Sequence, residues 1–301
     1  MTAGLTGHPA PDRSVLLMTG SAAADVLQDV VTNDVRPVTA APGQLVYAAL
    51  LTPQGKYLFD FFLLAAPGGG ILIDVAADRA QALAKRLSLY CIRRDAKVLG
   101  SVDVGVARIL AAPDASVTAE TPVEAFPSGA LPASALPASA LPEGVTAHRD
   151  PRRPELGWRL YATDPAAALA AMGLALGEDA VAGEDALRVA LGVPATGIEL
   201  VPEETFILEA GFDTLNGVDF RKGCYVGQEV TARMRHKTDL KKRLVTVHVE
   251  GSAPPGTPIT TEAGKPAGTL FTQSGGKALA HLRLDRAKGP LSAGEARLRL
   301  A

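Results

Sequence analysis

An α+β chain with more than one core region, ending in a small all-β unit, is the fold class that three observations predict. At 301 residues the chain exceeds the ~250–300 at which a single hydrophobic core stops growing. Its first third alternates short helical patterns with β-rich runs, and its last sixty residues hold only short β candidates between Gly, Pro and Ser turns. Hydrophobic residues at 47%, charged residues at 21% and a net charge of −2 exclude a disordered chain and a uniformly basic nucleic-acid binder.

Ser21 is placed to cap a helix through Val31, with Ala22, Val26, Val30 and Ala23, Leu27 at helical spacing before Asn33 and Pro37 end it. Leu45–Leu51 and Tyr57–Leu64 read as strands. Thr52-Pro53-Gln54-Gly55 between them has the Pro and Gly positions of a type I turn followed by a bulge, so the pair is a hairpin. Gly68–Gly70 turn into a strand Ile71–Val75. Asp78 is the expected cap of a helix to about Tyr90, and Lys97–Val106 returns as strand. Ala111–Gly144 changes character: Ala-Leu-Pro-Ala-Ser occurs twice, and a proline every fifth residue excludes regular helix and central strand, leaving a loop or extended linker. Leu156–Tyr161 enters a strand, Asp164-Pro165 starts a helix that Gly173 stops, and Glu184–Leu191 is a further short helix. Leu244–Val249, Pro258–Thr261, Pro266–Phe271, Lys277–Leu284 and Ala296–Leu300 are the terminal β candidates. The resulting units are an N-terminal α+β subdomain over 12–110, the Ala/Pro-rich loop over 111–147, a second α+β subdomain over 148–240 and the β-barrel over 241–301.

Cys91 and Cys224 are the only cysteines, too few for a disulfide framework or a self-contained four-thiolate metal site, although one bridge between them stays open. Met1–Ser14 lacks the apolar core of a secretory signal, and no apolar run reaches ~18 residues, so the expectation is a soluble cytoplasmic protein without a membrane partner.

The most unusual segment is Arg221–Arg233. Gly223 and Gly227 flank a Cys-Tyr-Val turn, and Gln228 onward is helical, with Val226, Val230 and Met234 on one face and Glu229 and Arg233 as an i,i+4 pair. Cys224 then precedes a helix N-terminus and follows Lys222 by two residues, both of which favour thiolate. The other reading, a small buried apolar cysteine, is equally open on these grounds. From Arg221 to Arg243 eight cations face two acids, an excess of six positive charges that suits a polyanion: an anionic cofactor tail, an acidic partner or a tRNA backbone. A merely solvated surface is the alternative.

Lys222-Gly223-Cys224-Tyr225-Val226-Gly227-Gln228-Glu229 resembles the signature of the YgfZ branch of the folate-binding proteins related to the glycine-cleavage T-protein (aminomethyltransferase). Asn33–Pro37, Leu51–Lys56, Asp150–Arg152 with Leu156–Arg159, and Pro202–Glu204 agree in order. Leu87–Arg94 is similar to the mitochondrial members of that branch, which assist assembly of 4Fe-4S proteins. The resemblance runs from Val15 to Leu300 apart from the Ala/Pro-rich insert.

The resemblance implies a three-subdomain ring around a folate pocket, the last subdomain a barrel. It carries a folate-contact aspartate onto Asp60, in Gly55–Asp60, where Phe59 replaces the first acid of the T-protein pair. It carries a pterin-reading glutamate onto Glu209, in Leu208–Gly211, a carboxylate able to accept two N–H bonds in fork geometry. Tyr225 and Arg233 are further folate-contact candidates, Cys224 and Lys222 the reactive pair, and Gly223, Gly227, Gln228 and Glu229 the residues fixing the motif. One thiolate cannot hold a cluster alone, so the resemblance leaves Cys224 either to share a 2Fe-2S cluster with a partner scaffold or to relay a one-carbon or sulfur species. The implied function is a tetrahydrofolate-dependent accessory role in iron-sulfur cluster assembly or repair, and through it support of tRNA modification. A folate-dependent one-carbon transferase is the enzymatic alternative and direct tRNA binding the third; no DNA partner is expected.

Overall fold

The computed structural model describes residues 5–40, 44–111, 141–176, 179–236 and 240–301. The expected Ala/Pro-rich loop falls mainly on 112–140, outside the described residues. The chain runs β1 (Leu5–Pro9), β2 (Arg13–Thr19), α1 (Ala23–Val30), α2 (Arg36–Ala40), β3 (Val46–Leu51), β4 (Tyr57–Ala65), β5 (Ile71–Ala76), α3 (Ala80–Tyr90), β6 (Lys97–Ser101) and β7 (Gly105–Ala111). It continues as β8 (Thr146–Arg149), β9 (Trp158–Ala162), α4 (Pro165–Ala171), β10 (Ala175–Leu176), α5 (Asp179–Ala190), α6 (Gln228–His236), β11 (Lys242–Glu250), β12 (Pro258–Thr261), β13 (Pro266–Ser274), β14 (Lys277–Arg283), β15 (Leu291–Ala293) and β16 (Ala296–Leu300).

Three sheets organise it. The first, in order β3-β4-β5-β2-β6, is covered on both faces, which is why β3 is buried along its whole length and β4 along all but its last residue. Because successive side chains point to opposite faces, Phe61 and Leu63 pack with Leu27, Leu83 and Leu87 of the helical layer, whereas Tyr47, Phe62 and Leu64 pack with Tyr161, Leu208 and Phe212 from later in the chain. The second sheet, β10-β1-β7-β9-β8, lies under α4. The third is a closed barrel, β11-β14-β13-β12-β15-β16.

Local chemistry accounts for several elements. Gly55 N–H bonds Thr52 O (2.9 Å) with Gly55 at φ +76°, the expected hairpin turn. Asp164 caps α4 by accepting from the Ala167 amide at 2.9 Å. Other expectations are corrected. Ser21 does not cap α1, because its hydroxyl donates to Asp95 (2.6 Å). Asp78 sits in a 3-10 turn ahead of α3 and makes no cap. The single strand expected over Lys97–Val106 is two strands in different sheets, separated by a turn in which Val104 N–H bonds Val102 O at 2.8 Å. Gly105–Ala111 therefore pairs with β1 and β9 rather than with the first sheet. The short β15, not expected from the sequence, closes the barrel between β12 and β16.

Candidate functional site

The motif loop is braced on two sides. Lys222 is buried, and its ammonium donates to the carbonyl oxygens of Gln28 and of Val31 (2.5 Å) at the C-terminal end of α1, the end at which a helix favours cations. Burial pulls the Lys222 pKa down to about 8, with Asp34, Asp29 and Asp219 pulling the other way. On the second side Gly227 lies against the hairpin turn. A Cβ there would stand 2.5 Å from Thr52 O and 3.1 Å from Gly55 Cα, so only glycine allows this approach. Gln228 Nε2 donates to Gly223 O (3.0 Å), closing the loop over Cys224. Cys224 itself is exposed and, like Cys91, a free thiol; burial pushes the Cys91 thiol up. Tyr225 is buried in the second core, and Glu229 and Arg233 form an exposed pair at 3.5 Å. As expected, Val226 packs against the first core and Met234 against the second, both half-buried, while Val230 lies half-buried against Gly55 of the hairpin and the buried residue of α6 is Thr231.

The same hairpin also contributes to a half-open cavity of about 470 Å³. Asp60 on β4 lines it and is buried. Its Oδ1 accepts from the hydroxyls of Tyr57 (2.7 Å) and Thr196 (2.6 Å), and its Oδ2 from Tyr47 (3.0 Å). Burial first, and then the Asp60 charge, raise both tyrosine phenols above their ordinary range. Beside it stand Arg13, Arg152 and Arg159, grouped around the Phe62 ring at 5.7, 5.0 and 3.7 Å. Two buried carboxylates hold them. Asp74 accepts from Arg13 Nε (2.7 Å), Arg159 Nη1 (3.1 Å) and Tyr161 (2.9 Å), and Asp150 takes Arg152 in a fork at 2.9 and 2.7 Å. Burial alone would raise both acids, but the guanidinium groups outweigh it and keep them below the usual carboxylate range.

The expected site residues thus fall at three places. Asp60 is in the cavity. Cys224, Lys222, Tyr225 and the glycines belong to the motif loop, and Gln228, Glu229 and Arg233 to α6 after it. Glu209 does not line the cavity: its carboxylate stands 3.2 Å from His281 of the barrel, and its main-chain oxygen accepts from Leu244 (2.7 Å). Lys222, expected to favour a Cys224 thiolate, instead has its ammonium on the carbonyls of α1. The cavity arginines were not singled out from sequence. The signal was Arg159 inside the otherwise apolar Trp158–Ala162, since a charged side chain in a fully buried strand must have a buried partner.

The cavity has the size of a small-molecule site, and both carboxylates and guanidinium groups line it. Among the described residues no group of three or more His, Cys, Asp or Glu is placed to hold a metal ion, and no helix is long and apolar enough to cross a membrane.

The family model of the CAF17 C-terminal β-barrel domain matches residues 241–301. The iron-sulfur cluster assembly factor IBA57, mitochondrial, of Mus musculus is 33% identical over 299 residues, covering 93% of this chain and 78% of that protein. Its Homo sapiens counterpart is 32% identical with the same coverage of each. Among solved structures, the glycine cleavage system aminomethyltransferase T from Bartonella henselae superposes with a TM-score of 0.74 over 99% of this chain and 85% of that one, at 17% identity, which establishes the shared fold. The expectation of a cytoplasmic protein is overturned here, since the similar proteins are mitochondrial ones.

Proposed function

Because this chain belongs to the IBA57 family of iron-sulfur cluster assembly factors, we propose that it assists assembly or repair of iron-sulfur clusters by presenting Cys224 to a cluster carried by a partner. The observation that carries this reading is an exposed thiol on a loop braced against α1 and the hairpin, with no further metal-ligating cluster among the described residues. A 2Fe-2S cluster takes four protein ligands, so one thiolate here leaves the others to a scaffold protein; coordination releases only the thiol proton. Lys222 acts in this scheme by holding the loop, not by touching the cluster.

Tetrahydrofolate or a one-carbon derivative is the ligand we assign to the cavity, where Asp60 would meet an N–H edge and the arginines the carboxylate tail; bound there, the derivative would supply a one-carbon unit and tetrahydrofolate would accept one. The likeness of Lys222–Glu229 to the YgfZ-type signature supports this assignment, and support of tRNA modification would follow indirectly through iron-sulfur enzymes. The aminomethyltransferase fold favours folate-dependent one-carbon transfer as a second reading. Against it, Phe59 stands where the T-protein pair has its first acid, so Asp60 lacks the second carboxylate of that pair.

Replacing Cys224 by Ser tests the first reading in a host lacking the native chain. Activity of 4Fe-4S enzymes is expected to fall to the level of the deletion, while calorimetric affinity for tetrahydrofolate stays within twofold. Full enzyme activity with Cys224→Ser would remove the thiol from the function. Steady turnover of methylene-tetrahydrofolate by the chain alone would establish the second reading instead.

A further inference from the structure

Two loops grip neighbouring positions of α1. The motif loop does so through Lys222 on the carbonyls of Gln28 and Val31, with Gln28 Nε2 donating back to Lys222 O at 3.4 Å. The turn after α3 does so through Arg94, whose Nη1 donates to Asp29 Oδ2 at 2.6 Å, and through Asp95, which binds the Ser21 amide and hydroxyl. α1 buries Ala23, Val26, Leu27 and Val30, so Gln28 and Asp29, about 100° apart around the axis, share its outward stripe. The two loops therefore flank one face.

The second loop has the makings of a contact surface. Leu89 and Ile92 are 56% and 65% exposed, the two most exposed large apolar side chains among the described residues, and Leu99 on the adjacent β6 is 46% exposed. One exposed leucine needs no explanation, but a group does. Arg93 beside them is exposed, with left-handed backbone at φ +65°. Lys97 adds an exposed cation here, and Arg221, Arg233 and Arg235 do so on the motif side. Of the acids nearby, Asp29 and Asp95 are engaged within the chain, Glu229 pairs with Arg233, and Asp25 stands exposed on the same stripe of α1. The result is an apolar centre with a cationic rim in which arginine predominates, the make-up of a protein–protein interface.

We infer that the turn Leu89–Arg94 is the second half of the docking face whose first half is the Cys224 loop, and that its occupant is a protein presenting apolar side chains bordered by carboxylates. The inference rests on the proposed function: the protein that docks is the one whose cluster meets Cys224. A nucleic acid would use the cations but leave Leu89 and Ile92 in water. It would also find no open ring on which to stack a base, since Tyr90 packs against the first core, Tyr225 is buried and Arg235 covers Phe220 at 3.7 Å.

The test uses the full chain and a purified 2Fe-2S-loaded scaffold protein as probe, with affinity measured by interferometry at two salt concentrations. Ile92→Asp is expected to weaken the complex at least tenfold, Ile92→Leu to leave it within twofold, and higher salt to weaken the native complex. Melting temperature and the rate of Cys224 alkylation in the free chain should not change, which separates docking from folding and from thiol chemistry. Unchanged affinity in Ile92→Asp, with the complex still lost in Cys224→Ser, would overturn the inference and leave the proposed function standing. Unchanged affinity in both would overturn both. Binding of tRNA or of anionic vesicles that Ile92→Asp abolishes, with scaffold binding intact, would overturn the protein occupant.

Discussion

Lys222 is charged in a place that disfavours charge, and the consequence is a pH dependence with a definite sign. Its ordinary pKa of 10.5 falls to about 8 in the folded chain, burial being the largest cause. Between these values the unfolded chain binds more protons than the folded one, so stability rises with pH across the window, and the full penalty is present below about 8. Denaturant midpoints of native chain and Lys222→Met, measured from pH 7 to 10.5, should therefore diverge in favour of the native chain as pH rises. A constant difference would mean that Lys222 titrates alike in both states. The same residue shows why some of the site was hidden from sequence reasoning. The partners of Lys222 lie 194 and 191 positions away, and those of Glu209 are in the barrel, so no local spacing announces them. Asp164 could be read as a cap because its partner is three residues on. Ser21 could not, because Asp95, 74 positions later, takes its hydroxyl.

At the level of elements, the decisive contact is the motif loop on the β3–β4 hairpin. Each segment was legible alone: Thr52–Gly55 by its turn chemistry, Lys222–Glu229 by its glycine spacing. Their meeting was not, because Gly227 and Gly55 touch through backbone and leave no side-chain pattern. Gly227→Ala must accommodate both φ +81° and a Cβ at 2.5 Å from Thr52 O, and should cost about 2–3 kcal/mol in thermal or denaturant unfolding. Gly223→Ala has a similar backbone demand, φ +102°, but open space, and should cost about 1 kcal/mol. Equal costs would show that the loop does not press on the hairpin. The terminal strands were legible from their turns, except β15, whose three residues are too few for an alternating pattern to register.

Across the whole molecule, Glu199 joins units that the sequence could only separate. Its carboxylate, wholly buried, accepts from Arg188 of α5 (3.1 Å), from the Ala195 amide (2.9 Å) and from Thr272 of β13 (2.6 Å), tying the barrel to the cavity wall. Glu199→Ala leaves Arg188 buried with its other partners but without this one, and should cost about 3–5 kcal/mol. Hydrogen exchange should quicken over 266–274 more than over the first sheet; uniform loss would mean that the barrel is not fastened at this point. The ring itself was expected from the resemblance, but the second sheet was not, because β1 and β7 join it from far apart in the chain. Leu5 pairs with Ala111 and Thr6 with Ala175, so β1 finds neighbours on both sides only once the chain has been made as far as residue 176. Translation, at roughly 5–20 residues per second, holds that strand unpaired for several seconds, an interval in which a nascent-chain chaperone has its opportunity and the chain its greatest risk of aggregation.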